Sequence, residues 1–324
     1  MKEEIVRKAM EAGLMLTPDL LEKLDDSKLE KMILEAKEGG RTFLMDRENQ
    51  PRSKIMVKVV RVSPKKKLTP SDFVNYYNNK YEGIRKFLLK KMDAVSINKV
   101  REGYEELSII GMVRELTQRG FVLEDPTGEI EVLSKNQPDT DDVIGVKGIA
   151  REGKFIEKET ILPDIPLDNH LKRIRNLSLF LTTALTDKTR SLIQSTNFTL
   201  IPNIEGGALN EKEEKQVITN LTNPTRITIS SMGNEVNILV YSPGEETDET
   251  KAKDYLRKRH LSPGRNTILG PEDCFLIDDA PDIFWLVSPK KFLENYKGVT
   301  IISCQSPDAA RVNLETREVE FKQI

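Results

Sequence analysis

Histidine is nearly missing from this chain of 324 residues: His170 and His260 are the only two. That is too few for a His-rich binuclear hydrolytic centre, in which two metal ions need many Asp, Asn and His donors converging on one cleft. Cysteine is equally sparse, and Cys274 and Cys304 show neither metal-site nor redox spacing, which suits a reducing compartment. No apolar run approaches the roughly 20 residues needed to span a bilayer. The first residues, Met1-Lys2-Glu3-Glu4, open into a charged segment without the apolar core of a signal peptide, so the expected location is the cytoplasm. A Gly-rich phosphate loop is missing as well. Aromatic residues make up 6% of the chain and Trp285 is the single tryptophan, so surfaces that stack bases are in short supply. A net charge of −2 argues against indiscriminate binding of polyanions.

What charge there is lies unevenly. Between Lys54 and Arg101 there are 13 Lys and Arg against 3 Asp and Glu, a local +10 that leaves the rest near −12. That segment is a candidate electrostatic footprint. Within it Phe73, Tyr76, Tyr77, Tyr81, Ile84, Phe87, Leu88 and Met92 recur at helical spacing, with Ser71 and Asp72 suited to the N-terminus. Arg85, Lys86, Lys90 and Lys91 lie mostly off the apolar face. Lys65, Lys66 and Lys67 precede the helix, after a strand-like run from Ile55 to Val62. The residues before that run read as three short helices, 1–45, with Gly13 and Gly39-Gly40 as stops.

The clearest stretch follows. Leu107 to Glu115, Gly120 to Glu124, Glu129 to Lys135, Val143 to Ala150 and Lys154 to Leu162 are five short apolar or alternating runs with no room for crossover helices. Asp125-Pro126-Thr127-Gly128 supplies a tight turn between the second and third, and Gly145 and Gly148 suit sharp bends. Five strands in so short a stretch predict an OB-type β-barrel. Beyond Pro163 and Pro166, strands are expected at Leu177 to Thr182, Phe198 to Ile201, Arg226 to Ser230, Val236 to Tyr241, Cys274 to Asp278, Asp282 to Val287 and Val299 to Cys304. A helix is expected over Lys251 to His260, and a closing hairpin over Ala310 to Leu314 and Glu318 to Phe321. The fold class is thus α+β. Its parts are a helical unit (1–45), a basic linker with an amphipathic helix (46–104), a barrel (105–166) and an α/β sandwich (167–324).

Several segments carry a family resemblance: Glu124-Asp125-Pro126-Thr127-Gly128-Glu129-Ile130-Glu131-Val132-Leu133, Asp142 to Gly148, Leu162-Pro163-Asp164-Ile165-Pro166, Arg257-Lys258-Arg259-His260-Leu261-Ser262-Pro263 and Ala280-Pro281-Asp282-Ile283. Together with their order they resemble the small subunit of archaeal family D DNA polymerase. The resemblance implies a calcineurin-like phosphoesterase domain after the barrel, with two metals held by Asp-x-His, Gly-Asp, Gly-Asn-His-Asp, a lone His and Gly-His-x-His. At the matching places this chain has Leu179 to Thr186 without acid or His, Pro202-Asn203-Ile204-Glu205-Gly206, Tyr241-Ser242 and Val287-Ser288-Pro289-Lys290. The strand that carries Gly-Asp has no space between the first two strands. The expectation is a shortened paralogue with an inactivated phosphoesterase domain, no catalytic or metal residue and no cofactor. It would serve as a non-catalytic scaffold subunit of a replication complex whose partner is a polymerase large subunit or other replication protein, with DNA contacted inside the complex and no membrane or small-molecule substrate. Lys65, Lys66, Lys67, Arg85, Lys86, Lys90, Arg114 and Arg119 are candidate nucleic-acid contacts, and Phe284, Trp285 and Tyr296 candidate partner contacts. The alternative is a free-standing single-stranded DNA-binding module using the barrel, with Phe121, Phe155 and Tyr104 as its stacking aromatics.

Overall fold

The computed structural model describes residues 55–61, 67–167, 171–202, 216–219, 221–261 and 272–324. The three expected N-terminal helices, Lys65, Lys66 and His170 lie outside them. The chain divides into two compact units, Met1–Ile55 and Met56–Ile324, and the elements below belong to the second.

The described fold is mixed α+β and mostly sheet. Strand β1 (Met56–Arg61) is followed by helix α1 (Pro70–Leu88). The helix starts two residues earlier than a cap at Ser71 suggests: Thr69 is its N-cap, Pro70 occupies the first helical position, and the Asp72 carboxylate accepts the Thr69 amide at 2.7 Å. Tyr76, Tyr81, Ile84 and Leu88 are buried as their spacing predicts, and Met92 just beyond the helix joins them, but Phe73 at the first turn is 39% exposed.

Strands β2 (Leu107–Thr117), β3 (Gly120–Asp125), β4 (Gly128–Leu133), β5 (Val143–Arg151) and β6 (Lys154–Ile161) close into a barrel in the order β2-β3-β4-β6-β5. Ile109, Val113, Phe121, Leu123, Val132, Ile144, Val146 and Phe155 fill its interior. The two glycines of β5 act through space. A Cβ at Gly145 would collide with the Met92 sulfur and one at Gly148 with the Ile156 carbonyl, next to a register shift between Lys147 and Gly148. The β3–β4 turn is tied down by Asp125. Its Oδ1 accepts the amides of Thr127 (2.7 Å) and Gly128 (3.1 Å), and its Oδ2 accepts the Ile97 amide at 2.9 Å from a short 3-10 helix, Ile97–Lys99.

After the barrel, β7 (Ser178–Leu181), helix α2 (Asp187–Gln194) and β8 (Phe198–Leu200) make a parallel β-α-β unit, with α2 in the interval too short for a further strand. Two-residue β9 (Val217–Ile218) extends it. Strands β10 (Thr225–Ser231) and β11 (Asn234–Tyr241) form a hairpin, helix α3 (Glu249–Lys258) follows, and then come β12 (Ile283–Leu286), β13 (Phe292–Tyr296), β14 (Val299–Ser303), β15 (Asp308–Asn313) and β16 (Val319–Gln323). They build two sheets, β1-β10-β11-β12-β14-β13 and β16-β15-β7-β8-β9. The segment Cys274 to Asp278 is not a strand: only a bridge between Leu276 and His260 forms there.

One face of the larger sheet (Leu239, Tyr241, Phe284, Leu286, Val299, Ile301) packs on α3 through Ala252, Tyr255 and Leu256 and on α1 through Tyr76. Its opposite face (Ile227, Ile229, Val236, Ile238, Trp285, Ile302) is also buried, as are Leu179, Leu181, Leu200, Ala310 and Val312 of the smaller sheet. Apolar residues on both faces are what layered sheets require.

Candidate functional site

In open sheets with parallel strands, ligands meet the chain at the carboxyl ends of those strands. Here those ends are joined to one another by hydrogen bonds. The Thr182 amide donates to the Leu200 carbonyl (3.2 Å), Leu221 to Pro202 (3.1 Å), Val287 to Tyr241 (2.9 Å) and Cys304 to Leu286 (3.2 Å). The Asn223 side chain donates to the Ser242 carbonyl at 2.6 Å and accepts the Ser242 amide at 2.9 Å, and the Ser306 amide donates to the Thr183 hydroxyl at 2.8 Å. The loop of contacts thus runs from β7 to β8, across residues 221–223 to β11, then through β12 and β14 back to β7. Among the described residues its polar side chains include Thr182, Thr183, Asn223, Ser242 and Ser288, the last accepting the Thr247 amide at 3.0 Å. Carboxylates nearby already have lysines: Glu245 pairs with Lys251, and Glu249 lies 2.8 Å from Lys290. Among the described residues no group of three or more His, Cys, Asp or Glu is placed to hold a metal ion. Cys304 is 0% exposed, and burial pushes its thiol up to about 12, which disfavours the thiolate.

Phe284 and Trp285 are 0% exposed and present no surface to a partner, which corrects the expectation for both. Strand β12 lies centrally, so its two faces are covered alike. Phe284 belongs to the α3 side, where it meets Tyr255 edge-on at 6.3 Å, while Trp285 faces away and donates to the Cys304 carbonyl at 3.2 Å. Tyr296, at the end of edge strand β13, is half-buried, and its hydroxyl donates to the Asp164 carboxylate at 3.0 Å.

The candidate nucleic-acid contacts are dispersed over several elements. Lys67, Lys86, Lys90 and Arg119 are exposed. Arg85 is 3.5 Å from Glu82 and lines a groove of about 220 Å³ between α1 and the β3–β4 turn, whose walls also carry Glu82 and Asp125. Lys90 sits 5.5 Å from the Phe87 ring centre. Arg114 is ion-paired with Glu129. Other barrel cations are matched in the same way: Lys147 with Glu159 (3.3 Å), Lys154 with Glu131 (2.7 Å) and Lys158 with Glu106 (3.4 Å). Phe121 and Phe155 fill the barrel and are unavailable for stacking, which leaves Tyr104, 60% exposed.

Sequence reasoning missed a buried ionic cluster where α1, the loop before β5 and the end of α3 converge. Lys258 Nζ lies 2.7 Å from Asp142 and 2.5 Å from Asp139, with the Asp142 side chain only 6% exposed. Burial works against the Lys258 charge, but the carboxylates of Asp142 and Asp139 outweigh it and raise the pKa above the usual lysine value. Lys80, 5% exposed on α1, has its pKa lowered by burial, against the pull of Asp142 and Asp273. His260 is 1% exposed with Nε2 3.1 Å from Asp273, and burial lowers its pKa more than Asp273 raises it. Arg259, left-handed at φ 49°, caps α3. Its guanidinium stacks on Phe87 at 3.8 Å and donates to the carbonyls of Asp164 (3.3 Å), Ile277 (3.2 Å) and Asp278 (2.8 Å). Lys258 and Arg259 therefore serve internal joints, a role that spacing in the sequence does not reveal, while Arg257 is exposed and pairs with Asp254 of its own helix at 3.1 Å.

No protein-family model matches the chain. It is similar to the DNA polymerase II small subunit of Archaeoglobus fulgidus, with 27% identity over 116 residues, which cover 32% of this chain and 24% of that protein. The chain thus matches about a quarter of that relative's length.

Proposed function

We propose that this chain is a non-catalytic accessory subunit of a replicative DNA polymerase, a shortened relative of the family D small subunit that holds a larger polymerase subunit or another replication protein. The strand order β2-β3-β4-β6-β5 supports reading the barrel as an OB fold. The second domain is read as a degenerate calcineurin-like phosphoesterase sandwich, supported by its two sheets and the parallel runs β7-β8-β9 and β11-β12-β14.

The observation that carries the proposal is what stands at the strand ends. Where the resemblance calls for Asp, Asn and His ligands, the described residues are Thr182, Pro202, Ser242 and Ser288, tied to neighbouring loops by hydrogen bonds. A catalytic pair of metals needs donors that point into an open cleft. The core around them stays closely packed, with Trp285 and Phe284 wholly buried. Such a molecule retains a rigid shape and can offer it to a partner. A free-standing single-strand-binding module draws less support, because most barrel cations are matched by carboxylates and the barrel offers one exposed aromatic, Tyr104, among the described residues.

The test is co-expression with the polymerase large subunit of the same host followed by size-exclusion chromatography. Co-elution in a fixed ratio is expected, and separate elution would overturn the assignment. The same complex should give no manganese-dependent turnover of bis-p-nitrophenyl phosphate attributable to this chain. Turnover lost on changing residues at the strand ends would refute the non-catalytic reading.

A further inference from the structure

At the opposite end of the sheets, away from the carboxyl ends of the parallel strands, lies an open cleft of about 630 Å³. Three pieces of chain meet there: residues 171–175, which lead into β7, the β10–β11 turn at Gly233 and Asn234, and the β15–β16 turn at Glu315. The turn residues Met232 and Gly233 both have positive φ, 52° and 79°, the twist that a two-residue hairpin connection requires, and they project the turn outward. A buried arginine holds the segment in place. Arg317, 8% exposed, donates through Nη2 to the Lys172 carbonyl and lies 3.8 Å from Asp282, while its Nε and Nη1 have no hydrogen-bond partner among the described residues.

The walls carry unmatched positive charge. Arg173 and Arg175 are exposed and, among the described residues, make no hydrogen bond or ion pair. The carboxylates nearby are engaged: Glu235 accepts the Ser230 hydroxyl (2.9 Å), Glu315 the Asn176 amide (3.2 Å) and Asp282 the Asn237 amide (2.7 Å). Apolar surface flanks the arginines, with Leu171 39% exposed in the cleft wall and Met232, 73% exposed, beside Gly233. Two free guanidinium forks suit carboxylates, which they bind in bidentate fashion. Leu171 and Met232 suit an aliphatic or aromatic side chain next to them. Glu235 and Glu315 interrupt the positive surface, so the lining suits isolated carboxylates held at the two arginines with apolar groups between them rather than an unbroken run of phosphates.

We propose that this cleft is a docking site for a peptide segment of a partner protein that carries acidic side chains beside an apolar one, gripped by Arg173 and Arg175. It is separate from the strand-end region and from the basic face of α1.

The probe is a fluorescein-labelled random copolymer of glutamate and tyrosine, titrated with the full chain and followed by anisotropy. A labelled single-stranded oligonucleotide is run alongside. The wild-type chain should bind the copolymer, and the charge reversals Arg173→Glu and Arg175→Glu together should weaken it roughly tenfold, the scale expected when two partly solvated ion pairs become repulsive. Leu171→Ser with Met232→Ser should weaken the copolymer more than plain polyglutamate. Lys135→Glu with Lys188→Glu, an equal change in charge at exposed positions outside the cleft, should leave binding unaltered. Because both arginines are exposed, the double variant should keep its urea midpoint, and Arg173→Gln with Arg175→Gln gives a milder check. Absence of copolymer binding, equal binding by the double variant, or tighter oligonucleotide binding lost in that variant would each overturn the proposal.

Discussion

Replacing Arg259 by alanine should cost more stability than any change on the surface of the basic segment. The guanidinium is 5% exposed, its 2.8 Å bond to the Asp278 carbonyl is well formed, and those to Ile277 (3.2 Å) and Asp164 (3.3 Å) are longer. A charge-assisted hydrogen bond contributes about 1.5–3 kcal/mol at good geometry and less when stretched. The stack on Phe87 at 3.8 Å adds about 1 kcal/mol at a partly desolvated site. The expected loss for Arg259→Ala is therefore about 3–4 kcal/mol, a sizeable part of a typical domain's stability. Lysine cannot span three carbonyls or stack as a plane, so Arg259→Lys should recover less than half of that. Urea unfolding followed by circular dichroism measures both variants. Combining Arg259→Ala with Phe87→Leu should give a coupling of about 1 kcal/mol. A loss under about 1 kcal/mol for Arg259→Ala, or a lysine variant equal to wild type, would refute the view that this residue fastens the helix, the barrel exit and the second domain together.

Other outcomes follow from the buried groups and the dispersed cations. Lys258→Met leaves the Asp142 carboxylate buried and should cost about 2–4 kcal/mol by thermal or urea unfolding, whereas Lys258→Met combined with Asp142→Leu should be closer to wild type. His260 is held neutral by burial, so the unfolded chain binds a proton that the folded chain refuses once the pH falls below the ordinary histidine value of 6.5. Its contribution to stability is complete above that value and declines as the pH drops, at up to about 1.4 kcal/mol per pH unit, and the urea midpoint of His260→Leu should vary less over the same range. Asp125→Ala removes the acceptor for Thr127, Gly128 and Ile97 and should cost about 2–3 kcal/mol, read as a lowered melting temperature. Labelled single-stranded DNA should bind the isolated chain only at low salt, and Lys86→Glu with Lys90→Glu and Arg119→Glu should remove that binding. Tight, salt-tolerant binding would contradict the accessory-subunit reading.

The barrel was the most legible part because its information is local. Asp125-Pro126-Thr127-Gly128 specifies a turn on its own, and the observed strands β2 to β6 begin and end close to the expected ones. Alternation in β10 gave the same clarity: Thr225, Ile227, Ile229 and Ser231 point one way and are buried. Legibility failed where partners lie far apart in sequence. Nothing near Cys274 to Asp278 discloses that Leu276 meets only His260 in a single bridge. Helix α2 escaped notice because Leu192 and Ile193 are the apolar residues of Asp187 to Gln194, and β13 because it is a short edge strand whose Leu293 is exposed. Phe284 and Trp285 were candidate partner contacts because they stand in a strand near the place of the missing metal ligands, and adjacent residues of a strand face opposite ways. In a strand covered on both sides, each finds its own core. The cations of α1 and α3 misled for a related reason. Composition shows that they are numerous but not that Lys91 donates to the Leu162 and Asp164 carbonyls, or that Lys80 and Arg259 are buried.

Strand β1 bears on how the protein can be cut. It pairs with β10, Met56 opposite Ser230 and Arg61 opposite Thr225, so a segment preceding the barrel forms the outer edge of a sheet whose other strands all follow it. Helix α1 and the barrel are in effect an excursion that leaves this sheet and returns to it. A fragment starting at the barrel, or just after it, would lose that outer strand and bare the β10 backbone along its length. Exposed ladders of that kind recruit any extended chain nearby. Fragments starting before Met56 should stay monodisperse, and those starting after Arg61 should associate through the uncovered edge.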